Sequence, residues 1–305
     1  MPAERRYGMD HQHHAWSPIS TRGVLRWPQQ ARVALCVVVN LEHMEWEPPQ
    51  GHFEASRLAG GLGRLPYPDY ARLTHREYGH RVGIFRLLDV LEKHAIPVTI
   101  AMDVITAEHY PYLVQHCLAR GCEIIGHGVS VSRMITSGMS EQEERDYIQA
   151  SIEALTQATG KAPLGWLGPE YGESTRTPQL LSEAGIRYVC DWANDEQPYR
   201  MTTAQGELCA LPIMLELDDT QALWERRVPI DRYCDLLAES FGVLYQDGAQ
   251  TGRLLVLNLH PWLIGQPFRI GFLDTALATI MRRQGVWAAH GSAIVDWFQQ
   301  HSPVA

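Results

Sequence analysis

The sequence of 305 residues lacks several features that mark common functional classes. It has no lysine- or arginine-rich run, and its formal net charge is -9, so electrostatics do not favour a nucleic-acid partner. No apolar run approaches the roughly 18 to 20 residues that span a bilayer, and the N-terminus has no apolar core of signal-peptide length. We therefore expect a cytoplasmic protein that binds neither membranes nor nucleic acid.

A Cys-x-x-Cys pair is also absent, which gives no support to a redox motif or a structural zinc site. Several cysteines lie inside apolar runs, where a cysteine acts as a small hydrophobic residue. We expect all of them to be reduced thiols, as in a cytosolic protein. The six are Cys36, Cys117, Cys122, Cys190, Cys209 and Cys234.

The sequence does have enough hydrophobic residues, 45%, to bury a large core. Residues 1–30 are polar, rich in histidine and interrupted by Pro18 and Pro28, which predicts an N-terminal arm on the surface or on a neighbouring subunit. The histidines of DHQHHAW have no third ligand at a defined spacing and suit a solvated loop. We expect residues 31–305 to form a single catalytic domain, in a homo-oligomer that is a dimer or a tetramer.

Strands and helices alternate along this domain. The run ARVALCVVVNLE from Ala31 predicts a buried strand, and a long Gly- and Pro-rich connection follows it. Loops of such length are uncommon unless they are functional. The remaining segments alternate to the end of the chain, which predicts parallel βαβ units, and about seven strands predict an α/β fold with a closed or nearly closed barrel.

In such barrels, side chains at the C-terminal ends of the strands form the active site. Histidines and several carboxylates occur at the predicted strand ends, so we expect a functional site there. The candidates are Glu42, His43, Asp103, His127, residues 166–170, residues 191–195, His260 and Trp262.

Each candidate has a structural alternative. Glu42 could cap a loop, and His127 could be a hydrogen-bonded core histidine. Asp103 suits a helix cap as well as a site residue, and the alternation of strand side chains predicts that His43 faces away from Glu42. Three tryptophans suit packing at the barrel rim as well as stacking on a ligand: Trp166, Trp192 and Trp262.

The order of these motifs resembles the polysaccharide deacetylase (NodB homology) superfamily over residues 31–298, which implies an irregular (β/α)7-type barrel. The Thr-Phe-Asp-Asp-Gly motif of that family corresponds to VVNLEHMEW, with Glu42 at the position of the base and His43 at that of the metal-binding aspartate. Its His-x-x-x-His motif corresponds to HGVSV, with His127 in the first place and Val131 in the second.

Two further motifs complete the resemblance. The Arg-x-Pro element corresponds to LGPEYGESTRTPQLL, with Leu167 in place of the arginine, and the Leu-x-x-His element corresponds to VLNLHPWLIGQP, with His260. A divalent ion with three protein ligands would here have at most His127 and His43. We therefore expect no metal cofactor, with zinc held by His127 and His43 as the alternative.

These departures, with segments such as DWANDEQPY and LHPWLIGQPFR, resemble the allantoinase-like, cofactor-independent members and the cyclic imide hydrolases. The resemblance implies a homo-oligomeric hydrolase that cleaves a C–N bond of a small amide, ureide or cyclic imide. We expect Glu42, with a pKa raised by burial, to be the base, His260 the proton donor and His127 an oxyanion or substrate donor. The predicted substrate contacts are Glu170, Trp166, Asp195 and Trp262.

Two other functions fit the same motifs. One is a metal-dependent N-deacetylase of N-acetylated sugars, against which the missing second histidine argues. The other is a degenerate barrel that only binds a ligand, against which the presence of Glu42, His127 and His260 together argues. Hydrolysis assays after chelation distinguish the three.

Overall fold

The computed structural model describes residues 10–47 and 69–302, and within them nine strands form one sheet. The strands are β1 (Val33–Leu41), β2 (Val98–Met102), β3 (Glu123–Gly126), β4 (Gly165–Trp166), β5 (Tyr188–Val189), β6 (Tyr199–Arg200), β7 (Cys209–Ala210), β8 (Arg253–Leu259) and β9 (Val286–Ala288).

The strand order is β6-β7-β5-β4-β3-β2-β1-β8, and β9 pairs with the start of β1. All pairs are parallel except β6 with β7. The sheet curls so far that Leu254 N, on β8, donates a hydrogen bond of 2.7 Å to Glu196 O, just before β6. This curled sheet, with helices packed on it, confirms the predicted irregular α/β barrel.

The helices follow the strands in the expected alternation. They are α1 (Tyr70–Tyr78), α2 (Ile84–Lys93), α3 (Val104–His109), α4 (Pro111–Ala119), α5 (Glu141–Thr159), α6 (Thr177–Glu183), α7 (Ile230–Asp247), α8 (Ile270–Met281) and α9 (Gly291–His301). The described residues also form two π-helical turns (Gly79–Gly83 and Thr220–Glu225) and four short 3₁₀ turns (Ile19–Thr21, Pro28–Gln30, Pro169–Tyr171 and Leu215–Leu217). In the part of the chain that the structure describes, no helix is long and apolar enough to cross a membrane.

Strand β1 is buried along its whole length and determines which side chains face the barrel interior. Its odd-numbered residues, such as Val39, pack in the core beneath helices α2, α7 and α8, whereas its even-numbered residues, such as Val38, pack in the interior. Strand side chains alternate between faces. Extension of this pattern places Asn40 and Glu42 on the inner face and His43 on the outer one.

Residues 10–30, the described part of the N-terminal arm, pack on their own chain. Leu25 and Trp27 are buried in the core, and Trp27 Nε1 donates a hydrogen bond of 2.7 Å to Arg253 O. Arg22 forms a 2.5 Å ion pair with Asp195. The arm therefore contributes core residues, contrary to the sequence-based expectation, and the homo-oligomer stays a prediction.

Two glycines bring helix α1 close to the loop that follows β8. A Cβ on Gly79 would lie 2.9 Å from Trp262 N, and a Cβ on Gly83 would collide with Pro261 O. Both positions therefore require glycine for steric reasons. This contact, which we call the glycine seam (Gly79 and Gly83 against Pro261 and Trp262), sets α1 directly beside the end of β8.

Candidate active site

A cavity opens at the C-terminal ends of β1, β3 and β8. Most of its lining is polar, with acidic and basic side chains on facing walls. The lining residues are Asn40, Glu42, Arg72, Arg76, His127, Leu167, Gly168, Glu170, Tyr171, Asp218, Thr220, Gln221, Trp224, Glu225, Asn258 and His260. The structure thus brings Glu42, His127, Glu170 and His260 together, as the strand-end rule predicts.

Glu42 is buried in the cavity wall and is ion-paired with Arg76, whose Nη1 donates a hydrogen bond to Oε1. Burial by itself would raise the pKa of Glu42, but the charges of Arg76 and His260 outweigh burial and hold that pKa well below its usual range. The sequence-based prediction of a raised pKa is therefore wrong, because helix α1 supplies a counter-charge. Glu42 is a carboxylate over the whole neutral range.

The ring of Trp262 supports the guanidinium of Arg76. The guanidinium lies 4.3 Å from the centre of the Trp262 ring, in a cation–π contact. The Trp262 ring also packs edge-on against Trp224 and His75. Only Nη1 of Arg76 has a hydrogen-bond partner among the described residues, so its other N–H groups are available to a ligand.

His127 has a fixed ring orientation. Its Nδ1 lies 2.5 Å from Leu167 O, and because a carbonyl can only accept, Nδ1 carries the proton. In the neutral ring, Nε2 is then an acceptor. Nε2 lies 3.5 Å from Glu42 Oε2, is buried, and has no hydrogen-bond partner in the described part of the chain. Two acceptors side by side at the cavity form a site for a group that donates two protons, such as water.

His260 is held on the opposite wall by Asp219. Its Nδ1 lies 2.6 Å from Asp219 Oδ1, and its backbone N–H donates to Asp219 Oδ2 at 2.9 Å. Burial opposes the charged ring, but Asp219 and the charges of Asp218 and Glu42 outweigh it and raise the pKa of His260 to about 9. His260 is therefore an imidazolium at pH 7 and a ready proton donor.

The floor of the cavity is a chain of hydrogen-bonded polar groups. Asn40 Nδ2 donates to Asn258 Oδ1 at 2.7 Å, and Asn258 Nδ2 donates to Asp218 Oδ2 at 2.7 Å and to Tyr171 Oη at 2.9 Å. Tyr171 donates its hydroxyl proton to Asp218. Buried polar groups that satisfy one another in this way fix a single arrangement of the site.

Glu170 enters the cavity on a tight turn after β4. Glu170 and the next residue, Tyr171, both have positive φ angles, 52° and 58°, which are uncommon for residues with side chains. Glu170 is accessible from the cavity, yet the surrounding protein raises its pKa by desolvation, with Arg76 opposing the shift. Strain of this kind at a cavity is a frequent mark of function.

The two remaining polar candidates on β1 and β2 lie outside the cavity lining. Asp103 is buried and caps helix α3: its Oδ1 accepts from Thr106 N at 2.7 Å, and its Oδ2 accepts from His43 N at 2.5 Å. The ring of His43 lies on the outer face, near His109 and Tyr110. Asp103 is therefore the helix cap, and His43 faces away from Glu42, as strand alternation predicts.

Three predicted substrate contacts also lie elsewhere and need correction. Trp166 is fully buried and packs on Gly126. Asp195 pairs with Arg22 at a separate surface cavity beside the N-terminal arm. Trp262 is buried beneath Arg76 and supports it rather than lining the cavity.

The residues present do not fit the divalent metal that the resemblance allows. Glu42 and His127 are the neighbouring donors, Val131 cannot coordinate, and His43 faces away. The guanidinium of Arg76 beside Glu42 also opposes a second cation. Among the described residues only Asp218, Asp219 and His260 bring three ligand atoms together, and these already bind one another and their neighbours.

Sequence reasoning missed Arg76 and Asp219. Arg76 lies on a helix after the long connection, so no rule about strand ends could find it. Asp219 follows β7 in LELDDTQAL, and the paired aspartates there were a usable signal, since they come after a predicted strand.

Known proteins resemble this chain in sequence and in fold. Residues 77–189 match the family model described as polysaccharide deacetylase. The fold of the chain is the polysaccharide deacetylase-like barrel. The matching proteins include deacetylases and an allantoinase by name, which are hydrolases of C–N bonds other than peptide bonds.

Individual relatives cover different shares of this chain. A Schizosaccharomyces pombe protein whose name places it among the polysaccharide deacetylases is 26% identical over 94% of this chain and 96% of its own. The peptidoglycan deacetylase of Helicobacter pylori is 31% identical over 47% of this chain and 48% of its own. The structure of PuuE allantoinase covers 99% of this chain and 100% of its own, with 26% identity and a TM-score of 0.82.

Proposed function

We propose that this protein hydrolyses a C–N bond in a small amide, ureide or cyclic imide without a metal, with Glu42 as the base. The observation that carries the proposal is the pairing across the cavity: an ionised Glu42 with Arg76 on one wall and a protonated His260 with Asp219 on the other. Amide hydrolysis needs a base for water and an acid for the leaving nitrogen at the same pH. The likeness to PuuE allantoinase over the whole chain supports a small substrate.

In this proposal the attacking water lies between Glu42 and His127. Water donates one proton to Glu42 Oε2 and the other to His127 Nε2, the two acceptors that lie 3.5 Å apart. Its lone pair then points toward the substrate carbonyl. His127 thus acts as an acceptor for water, in place of the oxyanion donor that its sequence position suggested.

The positive charge that a metal would supply comes from Arg76 in this proposal. Its remaining N–H groups donate to the carbonyl oxygen as that oxygen gains charge, which is the usual role of an oxyanion hole. As the carbonyl oxygen accepts hydrogen bonds from Arg76, the interaction of Arg76 with Glu42 weakens and the pKa of Glu42 rises. A carboxylate that is a weak base in the free enzyme thereby becomes a stronger one with substrate bound.

His260 completes the proposed reaction by proton transfer to the leaving nitrogen. Its Nδ1 is engaged with Asp219, so the proton that moves is the one on Nε2. Glu170, accessible from the cavity, accepts hydrogen bonds from substrate N–H groups. Amides, ureides and imides all offer the carbonyl that Arg76 requires, and ureides and imides add the N–H groups that suit Glu170.

A second candidate is N-deacetylation of an acetylated sugar. The family model and the Helicobacter pylori relative favour it, because both are deacetylases by name. The resemblance implies a metal for that reaction, whereas the residues around Glu42 provide too few ligands for one. A deacetylase of this construction would have to use the same Glu42, Arg76 and His260.

The test is a substrate screen on purified protein treated with a chelator. The panel contains cyclic imides, cyclic and linear ureides, simple aryl amides and N-acetylglucosamine oligomers. We expect turnover of a ureide, imide or amide by the chelated protein. Turnover of acetylated sugars alone would reject the small-amide proposal, and turnover of none of them would favour the degenerate barrel.

A further inference from the structure

One short segment, residues 167–173, supplies three groups to the cavity. Leu167 O orients His127, and Glu170 and Tyr171 enter the cavity from the strained turn. Gly168 N anchors the segment by a 2.7 Å hydrogen bond to Asp191 Oδ1, at the end of β5. The position of this segment therefore depends on Asp191.

Asp191 faces a second carboxyl group, that of Glu173, at the end of the same segment. Asp191 Oδ2 and Glu173 Oε1 are both buried, and neither has a hydrogen-bond partner in the described part of the chain. Two ionised carboxylates in contact would repel each other and leave both oxygens unsatisfied. One proton removes both costs, because it converts one oxygen into a donor to the other.

We propose that Glu173 and Asp191 share one proton at neutral pH and that this acid pair positions the segment that carries Glu170 and Tyr171. The pair acts through Gly168 and touches neither water nor substrate in the proposed site, so its residues are positioning residues. The segment is closely packed, since a Cβ on Gly168 would lie 2.7 Å from Gly172 O and one on Gly172 would lie 2.8 Å from Ile135 O. A separation of the two carboxyl groups would therefore shift the segment.

The electrostatics of the surroundings agree with a shared proton. Burial raises the pKa of Glu173 to about 7, with Asp191 and the indole N–H of Trp192 opposing the shift. Burial and Glu173 raise the pKa of Asp191 well above its usual range. The neighbouring groups that titrate or carry charge are Glu144, which is paired with Arg176 at 3.1 Å, and Tyr171, Cys190 and Tyr199.

The pH dependence has a definite sign. A pair whose pKa is raised by folding contributes stability that is complete at acidic pH and is lost as pH rises through the raised pKa. Above neutral pH the last proton leaves, the two carboxylates repel each other, and the Gly168 anchor loosens. We therefore expect residues 167–173 to become less ordered at alkaline pH.

The decisive measurement is carboxyl ¹³C NMR on protein labelled at aspartate and glutamate side chains. In the wild-type protein we expect a carboxyl titration above pH 7 that is absent from both Asp191→Asn and Glu173→Gln. Those two variants identify the signal among the other buried carboxyls, and His260 gives no signal in this experiment. The proposal would be overturned if the carboxyl groups of Asp191 and Glu173 were both fully ionised by pH 6 in the wild-type protein.

Matched substitutions test positioning. Asp191→Asn keeps the acceptor for Gly168 N and gives Glu173 a permanent donor, so it mimics the protonated pair at every pH, whereas Asp191→Ala removes both contacts. Between pH 7 and pH 9, we expect the melting temperature of Asp191→Asn to fall less than that of the wild-type protein. Equal falls in the two proteins would contradict the shared proton.

A rate measurement adds a readout that depends on the proposed function, whereas the NMR and melting results do not. On a substrate found in the screen, Asp191→Asn and Glu173→Gln should keep KM at pH 7 within about 3-fold of the wild type, and Asp191→Ala should raise it by about 10-fold or more, the scale of one lost ordering contact. Equal losses in Asn and Ala variants would show that the proton is not what positions the segment. If Asp191→Ala fails to fold, Glu173→Gln against Glu173→Ala gives the same comparison.

Discussion

The two walls of the cavity carry ion pairs of opposite orientation. On the β1 wall the carboxylate of Glu42 faces the proposed water and a cation, Arg76, lies behind and beside it. On the β8 wall the cation of His260 faces the cavity and a carboxylate, Asp219, lies behind it. The partner on each wall shifts a pKa away from neutrality, downward for Glu42 and upward for His260.

The difference between the walls explains how one cavity keeps a base and an acid ready at the same pH. If both groups titrated near their usual values, close to 4 and 6.5, His260 would have lost most of its proton at pH 7. The paired charges widen the interval in which Glu42 is ionised and His260 is protonated. Substitution of Glu42, Arg76 or Asp219 removes one member of this arrangement.

The largest effect is expected from Glu42→Gln. Glutamine keeps the size of the side chain and an oxygen for Arg76, but it cannot take a proton, so the rate should fall by about 10² to 10⁴-fold. The measurement is kcat/KM on the identified substrate, with circular dichroism as the check on folding. A near-native rate would remove Glu42 from the mechanism, and failure to fold would support a structural role.

Arg76→Gln comes second. Loss of one oxyanion donor should lower kcat by about 10² to 10³-fold, and loss of the counter-charge should raise the pKa of Glu42. Because Glu42 must be ionised to act, the acid limb of the kcat/KM profile should move to higher pH. A variant with reduced kcat but an unmoved acid limb would show that Arg76 does not control Glu42. Arg81, an exposed arginine on the π-helical turn after α1, offers a matched control as Arg81→Gln.

A smaller change is expected from Asp219→Asn on the opposite wall. Without the carboxylate, burial lowers the pKa of His260 from about 9 toward or below its usual 6.5. The alkaline limb should move to lower pH, and kcat/KM at pH 8 should fall by about 10-fold for each unit by which the pKa of His260 drops below 8. An alkaline limb that stays where the wild-type enzyme has it would indicate another proton donor.

The smallest effect is expected from metal removal. In the proposed mechanism Arg76 supplies the positive charge and no metal takes part, so exhaustive chelation should change neither turnover nor melting temperature. Elemental analysis and rate measurements before and after chelation check this. One tightly held zinc per chain, with activity lost on its removal, would refute the metal-independent mechanism.

The sequence predicted the inner ends of the strands better than it predicted what lies opposite them. Glu42, His127 and His260 each follow a strand directly, so the parallel arrangement alone was enough to bring them to one cavity. The outward position of His43 followed from the alternation of side chains. Asp103 had two equal interpretations, and only the contact of its carboxylate with Thr106 N distinguished them.

The counter-charges were beyond sequence reasoning because they depend on packing between distant elements. Arg76 reaches Glu42 only because α1 crosses the end of β8, and no local pattern in HREYGHR indicates that contact. The error in the pKa of Glu42 has the same origin: burial could be predicted from strand β1, but the opposing cation could not. The tryptophans illustrate the limit too, since Trp166 and Trp262 are buried beneath the site instead of in it.

The glycine seam has a consequence for how this fold tolerates change over time. Arg76 belongs to α1, and His260 lies at the end of β8. The close contact at Gly79 and Gly83 therefore sets the distance between the two walls. Neither glycine touches the cavity, yet adding one methyl group at either would push a catalytic wall outward by a fraction of an ångström. The seam acts as a spacer, and a saturation mutagenesis survey would find positions 79 and 83 as intolerant as the site itself.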